Sequence, residues 1–361
     1  MRPAWAAIDL RALAHNLTVL REHAGGARIL AILKANAYGH GLSRIAAELQ
    51  GADAIGVARL DEALALRNAG VVKPIVLLEG FFSAQQLPVL AASGIQPVIH
   101  AQYQLEQLER AEGLVQPLSV WLKVDTGMHR LGVAPEDAIP FYRRLQACAN
   151  VQGEPVLMSH FASADTPNDT QNETQRSTFK SIQDILAAKV SFSNSAALLA
   201  HVAEYDDWVR PGLALYGISP FANKTGRDLN LQPVMSLQAS VIAIRDIPAG
   251  DGVGYGAAWH APQRTRVGVL AIGYGDGYPR MAPDGTPVII NGKRYPIVGH
   301  VSMDMLTVEL GMSSDVQIGD SGQLWGADLA VEEVAKYVGT VPYELLCNVA
   351  HRVVLDYADE R

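Results

Sequence analysis

Lys34 is the residue of this chain whose sequence context is best suited to covalent chemistry. It opens the string Lys-Ala-Asn-Ala-Tyr-Gly-His-Gly, directly after the apolar run Ile29–Leu33. A partly desolvated lysine amine is nucleophilic and forms a Schiff base with an aldehyde cofactor. A surface lysine in a glycine-containing turn is the alternative, and the residue types alone leave both interpretations open.

Two later segments contain groups suited to binding a phosphate. Ser195 follows Asn194 at the predicted start of a helix, and Arg210, Gly212 and Leu213 follow the next apolar run. A hydroxyl beside exposed backbone N–H groups at a helix start favours anion binding. A plain helix cap is the alternative.

Lys123 and Asp125 alternate along a predicted strand and therefore lie on the same face of it. Arg130 follows in the next loop, and arginine suits the carboxylate of a substrate. A surface salt bridge is the alternative for Arg130.

Tyr255 is flanked by glycines in the string Gly-Val-Gly-Tyr-Gly. A phenol can act as an acid or a base when its pKa is lowered. The spacing alone favours an exposed aromatic side chain in a glycine-rich hairpin.

The elements that must position these residues form an alternating pattern between Arg28 and Gly212. Eight short apolar runs alternate with helix-like segments such as Leu60–Asn68, and each run reads as a strand buried on both faces. The runs are Ile29–Leu33, Ala54–Val57, Ile75–Leu78, Pro97–Ile99, Val120–Val124, Val156–Ser159, Val190–Ser193 and Trp208–Val209. Eight such units predict an α/β fold with an N-terminal (β/α)8 TIM barrel, whose active site lies at the C-terminal strand ends. A doubly wound sheet is the alternative.

The pattern of apolar and polar residues changes after the predicted barrel, which we assign to residues 1–220. Residues 221–232 are polar and rich in turn formers and predict a linker. Residues 233–361 predict a mainly antiparallel β domain, which residues 1–10 are candidates to join. Its strands are predicted at Val234–Ile244, Val267–Ile272, Pro287–Ile290, Tyr295–Val298 and Met305–Leu310, with a helix at Val331–Val338.

Composition and absent motifs exclude several classes of function. The 361 residues carry a formal net charge of -8 with no Lys/Arg cluster, which argues against a nucleic-acid partner. No apolar run reaches the roughly 18 residues of a membrane span, so we expect no membrane partner. The two distant cysteines, Cys148 and Cys347, are typical of a reducing compartment, and we expect a cytoplasmic protein. Dinucleotide, P-loop and GxSxG motifs are absent and the histidines are scattered, so we expect no metal site.

Ordered motifs along nearly the whole chain resemble the alanine racemases that depend on pyridoxal 5'-phosphate (PLP). They are KANAYGHG, KVDTGMHRLG, MSHFASAD, SNSAA, VRPGLALYG, VGYG, AIGYGDGYPR and GHVSMDM. The resemblance implies a barrel followed by a β domain, PLP as the cofactor, alanine as the small-molecule substrate, and a homodimer with shared active sites. It implies interconversion of L-alanine and D-alanine, which could serve peptidoglycan synthesis or D-alanine breakdown.

The same resemblance implies two catalytic bases. Lys34 would hold PLP as a Schiff base and act on the D side, while Tyr255 from the other subunit would act on the L side. Arg210 would face the pyridine nitrogen, and its permanently protonated guanidinium would keep that nitrogen neutral and limit transamination.

The remaining site residues are also implied by the resemblance. The cofactor would be bound by Tyr38, His160, Asn194, Ser195, Gly212 and Leu213. The substrate carboxylate would be bound by Arg130 and the backbone of Met303, and Asp304 would be a further substrate-binding residue. Lys123 resembles a position that is carbamylated in many members, and Tyr274 resembles an access-channel tyrosine. His351 stands where we expect a phosphate-binding tyrosine, which leaves that contact open.

Three rivals remain at this point. A PLP-dependent decarboxylase of the same barrel class would place an acidic residue where this chain has Arg210. A non-catalytic PLP carrier would lack the second domain and Tyr255. A racemase of broader substrate range is the third, and such relatives often carry an export signal, which we do not find in this sequence.

Overall fold

The computed structural model describes residues 2–202 and 206–357. The predicted domain limits at residue 1 and at residues 358–361 lie outside these ranges. The described chain begins with strand β1 (Trp5–Ile8) and helix α1 (Leu10–His23). Asp9 lies between them and caps the helix, because its carboxylate accepts the N–H of Ala12 at 3.0 Å.

Eight parallel strands then close into a barrel. They are β2 (Arg28–Ile32), β3 (Ala54–Val57), β4 (Ile75–Leu77), β5 (Ile95–Ile99), β6 (Trp121–Lys123), β7 (Val156–Met158), β8 (Val190–Ser191) and β9 (Trp208–Val209). The strands are bonded in the order β8-β7-β6-β5-β4-β3-β2-β9. Past the ends of β8 and β9, the N–H of Arg210 donates to Ser193 O at 2.8 Å and joins the two edges. The predicted barrel is confirmed.

Helices follow most of the strands and cover the outside of the barrel. They are α2 (Lys34–Tyr38), α3 (Leu42–Glu48), α4 (Leu60–Asn68), α5 (Leu87–Ser93), α6 (Gln102–Glu109), α7 (Pro135–Ala147), α8 (Thr170–Leu186) and α9 (Ser195–Leu199). Local sequence explains several of their ends. Helix α7 starts with proline, carries Glu136 and Asp137 in its first turn and Arg144 in its last, which suits the helix dipole.

A second, mainly antiparallel sheet is formed by the rest of the chain together with β1. Its strands are β10 (Met235–Ile247), β13 (Thr265–Leu270), β14 (Pro287–Ile290), β15 (Lys293–Pro296), β16 (Leu306–Glu309), β17 (Ser321–Trp325) and β18 (Val354–Tyr357), while β11 (Gly252–Val253) and β12 (Trp259–His260) form a separate hairpin. The long β10 pairs with β1, β13 and β17. Strand β1 also pairs with β18, in parallel. We had not predicted β11, β12, β17 or β18.

Two helices of this second region lie close to the C-terminal end of the barrel. Helix α10 (Val331–Val338) is the predicted one, and α11 (Pro342–Cys347) was not predicted. Glu332 of α10 is buried, and its Oε1 accepts the N–H groups of Ser219 and Gly226, each at 2.9 Å. This carboxylate therefore ties the segment after the barrel to the second region. Within the described ranges, no helix is both long and apolar enough to cross a membrane.

Candidate active site

A cavity of about 700 Å³ lies at the C-terminal ends of the barrel strands. It brings together ten residues that the sequence analysis placed in the site. They are Lys34, Tyr38, Lys123, Arg130, His160, Asn194, Ser195, Arg210, Gly212 and Leu213. Tyr255, Met303 and Asp304 are not part of its wall in the described chain.

Lys34 is followed by a left-handed helical turn. The φ angles of Ala35, Asn36, Ala37 and Tyr38 are 53°, 55°, 54° and 52°. Each non-glycine residue in this region costs roughly 1–2 kcal/mol relative to a right-handed turn. Four in succession persist only where the surroundings hold them.

His40 and Asn36 are two side chains that hold this turn. Nδ1 of His40 lies 3.0 Å from Ala37 O and 2.8 Å from Tyr38 O, so it carries a proton and donates. Burial lowers the pKa of His40 to about 4, and the ring is therefore neutral at physiological pH. Oδ1 of Asn36 accepts the N–H of Leu42 at 2.9 Å.

Arg210 is a buried cation at the floor of the cavity. Its guanidinium donates to Ser191 Oγ, Ser159 O and Phe192 O, at 2.7, 2.7 and 3.1 Å. Burial lowers its pKa to about 10, which leaves it charged at neutral pH. Within the described residues its Nε has no acceptor, so this donor is available to a ligand.

His160 lies against this guanidinium, with Nδ1 3.0 Å from Nη2 of Arg210. Burial and then the charge of Arg210 lower the pKa of His160 well below its usual value. Since a guanidinium can only donate, Nδ1 accepts and the neutral ring carries its proton on Nε2.

Lys123 is a second buried cation in the same cavity. Burial is the largest cause that lowers its pKa to about 7, and the charges of Arg210, Arg130 and Lys34 lower it further, against the opposite effect of Asp125. A large share of this amine is therefore neutral near pH 7 and nucleophilic.

The loop that carries Arg130 is held by Asp125. One oxygen of its carboxylate accepts the N–H groups of Gly127, Met128 and His129, each at 3.0 Å. Burial acts to raise the pKa of Asp125, but these bonds together lower it below its usual value, so the carboxylate that holds the loop stays ionised at neutral pH.

One corner of the cavity is rich in hydrogen-bond donors. Ser195 Oγ accepts the N–H groups of Gly212 and Ala214 at 2.9 and 3.3 Å, so its own proton is free to be donated. A Cβ on Gly212 would lie 2.7 Å from the hydroxyl oxygen of Tyr38, which explains the glycine. In the part of the chain described, the N–H of Leu213 donates to no protein acceptor. The corner thus suits an anion.

Asn194 has a structural function at this corner. Its Oδ1 accepts the N–H of Ala197 at 2.9 Å and caps α9. Ser195 is therefore the first residue of the helix rather than its cap, and its hydroxyl remains directed to the loop after β9.

Tyr343 is a wall residue that the sequence analysis missed. It is the second residue of the short helix α11, after Pro342, and its ring centroid lies 5.8 Å from that of Tyr38. His351, where we expected the phosphate-binding side chain, is exposed and is not part of the cavity wall. Tyr343 therefore adds a second phenol to the cavity wall beside that of Tyr38.

Four other predicted residues lie on the surface of the second region. The side chains of Tyr255 and Met303 are 76% and 54% exposed. Asp304 forms an ion pair with Arg352 at 2.7 Å, and Tyr274 is 40% exposed, with its backbone N–H donating to Ser302 O at 3.0 Å. The single chain does not bring these residues into the wall around Lys34.

No three His, Cys, Asp or Glu side chains converge as a metal site requires anywhere in residues 2–202 and 206–357.

Two family models match this chain in succession. The model of the alanine racemase N-terminal domain matches residues 8–220, and that of the alanine racemase C-terminal domain matches residues 234–357.

Individual relatives match along almost the full length. An alanine racemase of Vibrio vulnificus is 51% identical over 359 residues, which cover 99% of this chain and 100% of that protein. The crystal structure of the biosynthetic alanine racemase of Pseudomonas aeruginosa matches with a TM-score of 0.95 and 43% identity, over 99% of this chain and 100% of that one. An alanine racemase of Bartonella henselae with covalently bound pyridoxal phosphate matches with a TM-score of 0.91 and 31% identity, over 99% and 100% of the two chains.

Proposed function

The chain belongs to the alanine racemase family, and from this membership we propose that it interconverts L-alanine and D-alanine with PLP held on Lys34. The observation that carries the proposal is the common cavity of the Lys34 amine and the buried Arg210 guanidinium, with an anion-binding corner beside them. The reaction is an isomerisation, so its balance requires only that one α-proton leaves and one returns.

The residues of the cavity fit PLP. Tyr38, Ser195 and Leu213 offer donors to a phosphate, and Nε of Arg210 is an unused donor for a ring nitrogen. The Bartonella henselae relative, which holds this group covalently, supports the same assignment. When bound to an amino acid, PLP withdraws electrons from the α-carbon and makes its C–H bond more acidic.

Two bases on opposite faces of the α-carbon would exchange the proton. We assign the D side to Nζ of Lys34 and the L side to the hydroxyl of Tyr255 of the partner subunit. Since each base can either remove or return a proton, the reaction runs in both directions.

Arg210 would keep a fixed positive charge beside the ring nitrogen of the cofactor. It keeps its own proton at neutral pH, since its pKa is lowered only to about 10. The neutral imidazole of His160 accepts a hydrogen bond from the guanidinium and holds it in place, and it offers no acidic proton at this contact. This arrangement disfavours the decarboxylase rival, which needs an acidic residue at this position.

Arg130 would bind the substrate carboxylate together with the backbone N–H of Met303 of the partner subunit, and Asp304 of the partner subunit would be a further substrate-binding residue. We further propose that Lys123 is carbamylated. Its lowered pKa supplies a neutral amine, and the carbamate would be an anion able to pair with Arg130.

The surface position of Tyr255 supports a homodimer in which each site is shared. A base that is 76% exposed in the single chain needs a partner to bring it to a cavity.

We also propose a cytoplasmic location, because Cys148 and Cys347 are both free thiols.

A turnover assay with several amino acids tests the function. Purified protein supplied with PLP is expected to form D-alanine from L-alanine, with little conversion of L-serine or L-lysine, and Lys34→Ala is expected to be inactive. Equal conversion of the three amino acids would indicate a racemase of broad range. Release of carbon dioxide without D-alanine would indicate the decarboxylase.

A further inference from the structure

We propose that Glu62 is a positioning residue that holds Lys34 in its reactive place. The proposal rests on the function proposed above, in which Lys34 binds the cofactor and acts as a base. It starts from the left-handed turn Ala35–Tyr38, which needs contacts from outside to persist.

Glu62 provides such a contact from the neighbouring barrel unit. It is the third residue of α4, and its Oε1 accepts the N–H of Ala35 at 2.7 Å. Its Oε2 accepts the N–H groups of Ala58 and Arg59 at 3.0 and 3.2 Å. One carboxylate thus joins the loop after β2 to the loop after β3.

The bonded N–H belongs to the peptide group between Lys34 and Ala35. Fixing the direction of this N–H fixes the rotation of the backbone at Lys34, and with it the starting direction of the lysine side chain. Glu62 therefore acts on the reactive amine through the backbone, without contact to a substrate.

The alternative is that Glu62 only caps helix α4, as a glutamate at the third helical position commonly does. Glu62→Gln separates the two functions. A glutamine has one acceptor oxygen, and we expect it to stay with Ala58 and Arg59, where it satisfies two donors. Its NH2 group would then face the N–H of Ala35, so the cap is kept and the contact to the turn is lost.

The experiment measures backbone exchange and cofactor attachment in the same variants. In Glu62→Gln, amide hydrogen exchange in residues 34–41 is expected to be about tenfold faster, as expected for the loss of one hydrogen bond to a charged group. Exchange in residues 60–68 is expected to stay as in the wild type. Borohydride should trap less PLP on Lys34 at limiting PLP, and kcat should fall about tenfold while KM for alanine changes less than about twofold.

Asp61→Asn is the matched control, since it removes a carboxylate from the exposed side of the same helix turn. It is expected to leave exchange, trapping and kcat unchanged. If Glu62→Gln does not fold, Glu62→Asp replaces it, because aspartate keeps the charge at the helix start but is one methylene too short to reach Ala35.

Each outcome decides the proposal. The proposal is overturned if the Glu62 variant shows wild-type amide exchange, PLP trapping and kcat. If exchange becomes faster to the same extent in α4 and in the turn, Glu62 acts only as a helix cap. If the wild type itself traps no PLP on Lys34, the proposed function fails, while the exchange data still decide whether Glu62 holds the turn.

Discussion

Nη2 of Arg210 lies 3.0 Å from Nδ1 of His160, so the buried cation of the cavity rests against a neutral ring rather than a carboxylate. The positive charge is therefore not cancelled at this contact. A group that faces the free Nε of Arg210 receives a hydrogen bond but no proton.

Replacement of Arg210 tests this relationship. Arg210→Glu is expected to slow racemisation by about 100-fold or more, the loss typical of removing a preorganised donor. It is also expected to increase the share of turnovers that end in pyruvate by transamination, because a carboxyl group can exchange a proton with the ring nitrogen. Arg210→Lys keeps a cation and should slow the reaction without changing that share. The test measures D-alanine and pyruvate in parallel. An unchanged ratio of pyruvate to D-alanine in Arg210→Glu would refute the electrostatic role.

Gly212→Ala is expected to weaken cofactor binding. The new Cβ would lie 2.7 Å from the hydroxyl oxygen of Tyr38, and the buried tyrosine would have to move. We expect the Kd for PLP, measured by absorbance titration, to rise about tenfold. The same change made in a Tyr38→Phe protein lacks the hydroxyl and should have little further effect. Equal losses in both backgrounds would show that the hydroxyl contact is not the cause.

Carbamylation of Lys123 should depend on pH in a defined direction. Only the neutral amine reacts with carbon dioxide, and the pKa of Lys123 is lowered to about 7. The carbamate should therefore be abundant at about pH 8 and decline toward about pH 6, as the amine becomes protonated. Carbon-13 NMR with labelled bicarbonate measures this, with Lys123→Gln as the control. A carbamate signal that does not change with pH, or that is still present in Lys123→Gln, would contradict the assignment.

A mixed dimer tests the shared site. Co-expression of Lys34→Ala and Tyr255→Phe chains gives dimers in which one site carries both changes and the other carries neither. Random pairing makes half the dimers mixed, so activity should return to about a quarter of the wild type. Each parent alone serves as the control. Purified heterodimers that are no more active than the parents would place both bases on one chain.

The barrel could be predicted from sequence because each of its strands is buried on both faces. Runs such as Ala54–Val57 read as continuous apolar segments, and all eight predicted runs overlap observed strands. Lys34 and Arg210, which directly follow two of these runs, therefore lie at the cavity as expected.

Two strands of the second sheet carried weaker signals. Strand β18 alternates between exposed and half-buried residues, and β17 begins with Ser-Gly-Gln. Their places depend on partners far away in sequence, which a local pattern does not contain.

Two contributors to the site were missed for a similar reason. Tyr343 reaches the cavity only because α11 packs against the turn after Lys34, and Glu62 reads locally as an ordinary helix-cap residue. The glycine-flanked Tyr255 would have been assigned to a hairpin without the family resemblance.

The position of β1 also sets an order for biosynthesis. On the ribosome Trp5 emerges long before its two partners, Gln238 in β10 and Val354 in β18. The strand made first is therefore the last to gain both neighbours, and the barrel between them can close earlier. Until then the apolar segment Trp5–Ile8 has two unpaired edges, and chains truncated before β10 keep a strand edge of the kind that promotes aggregation.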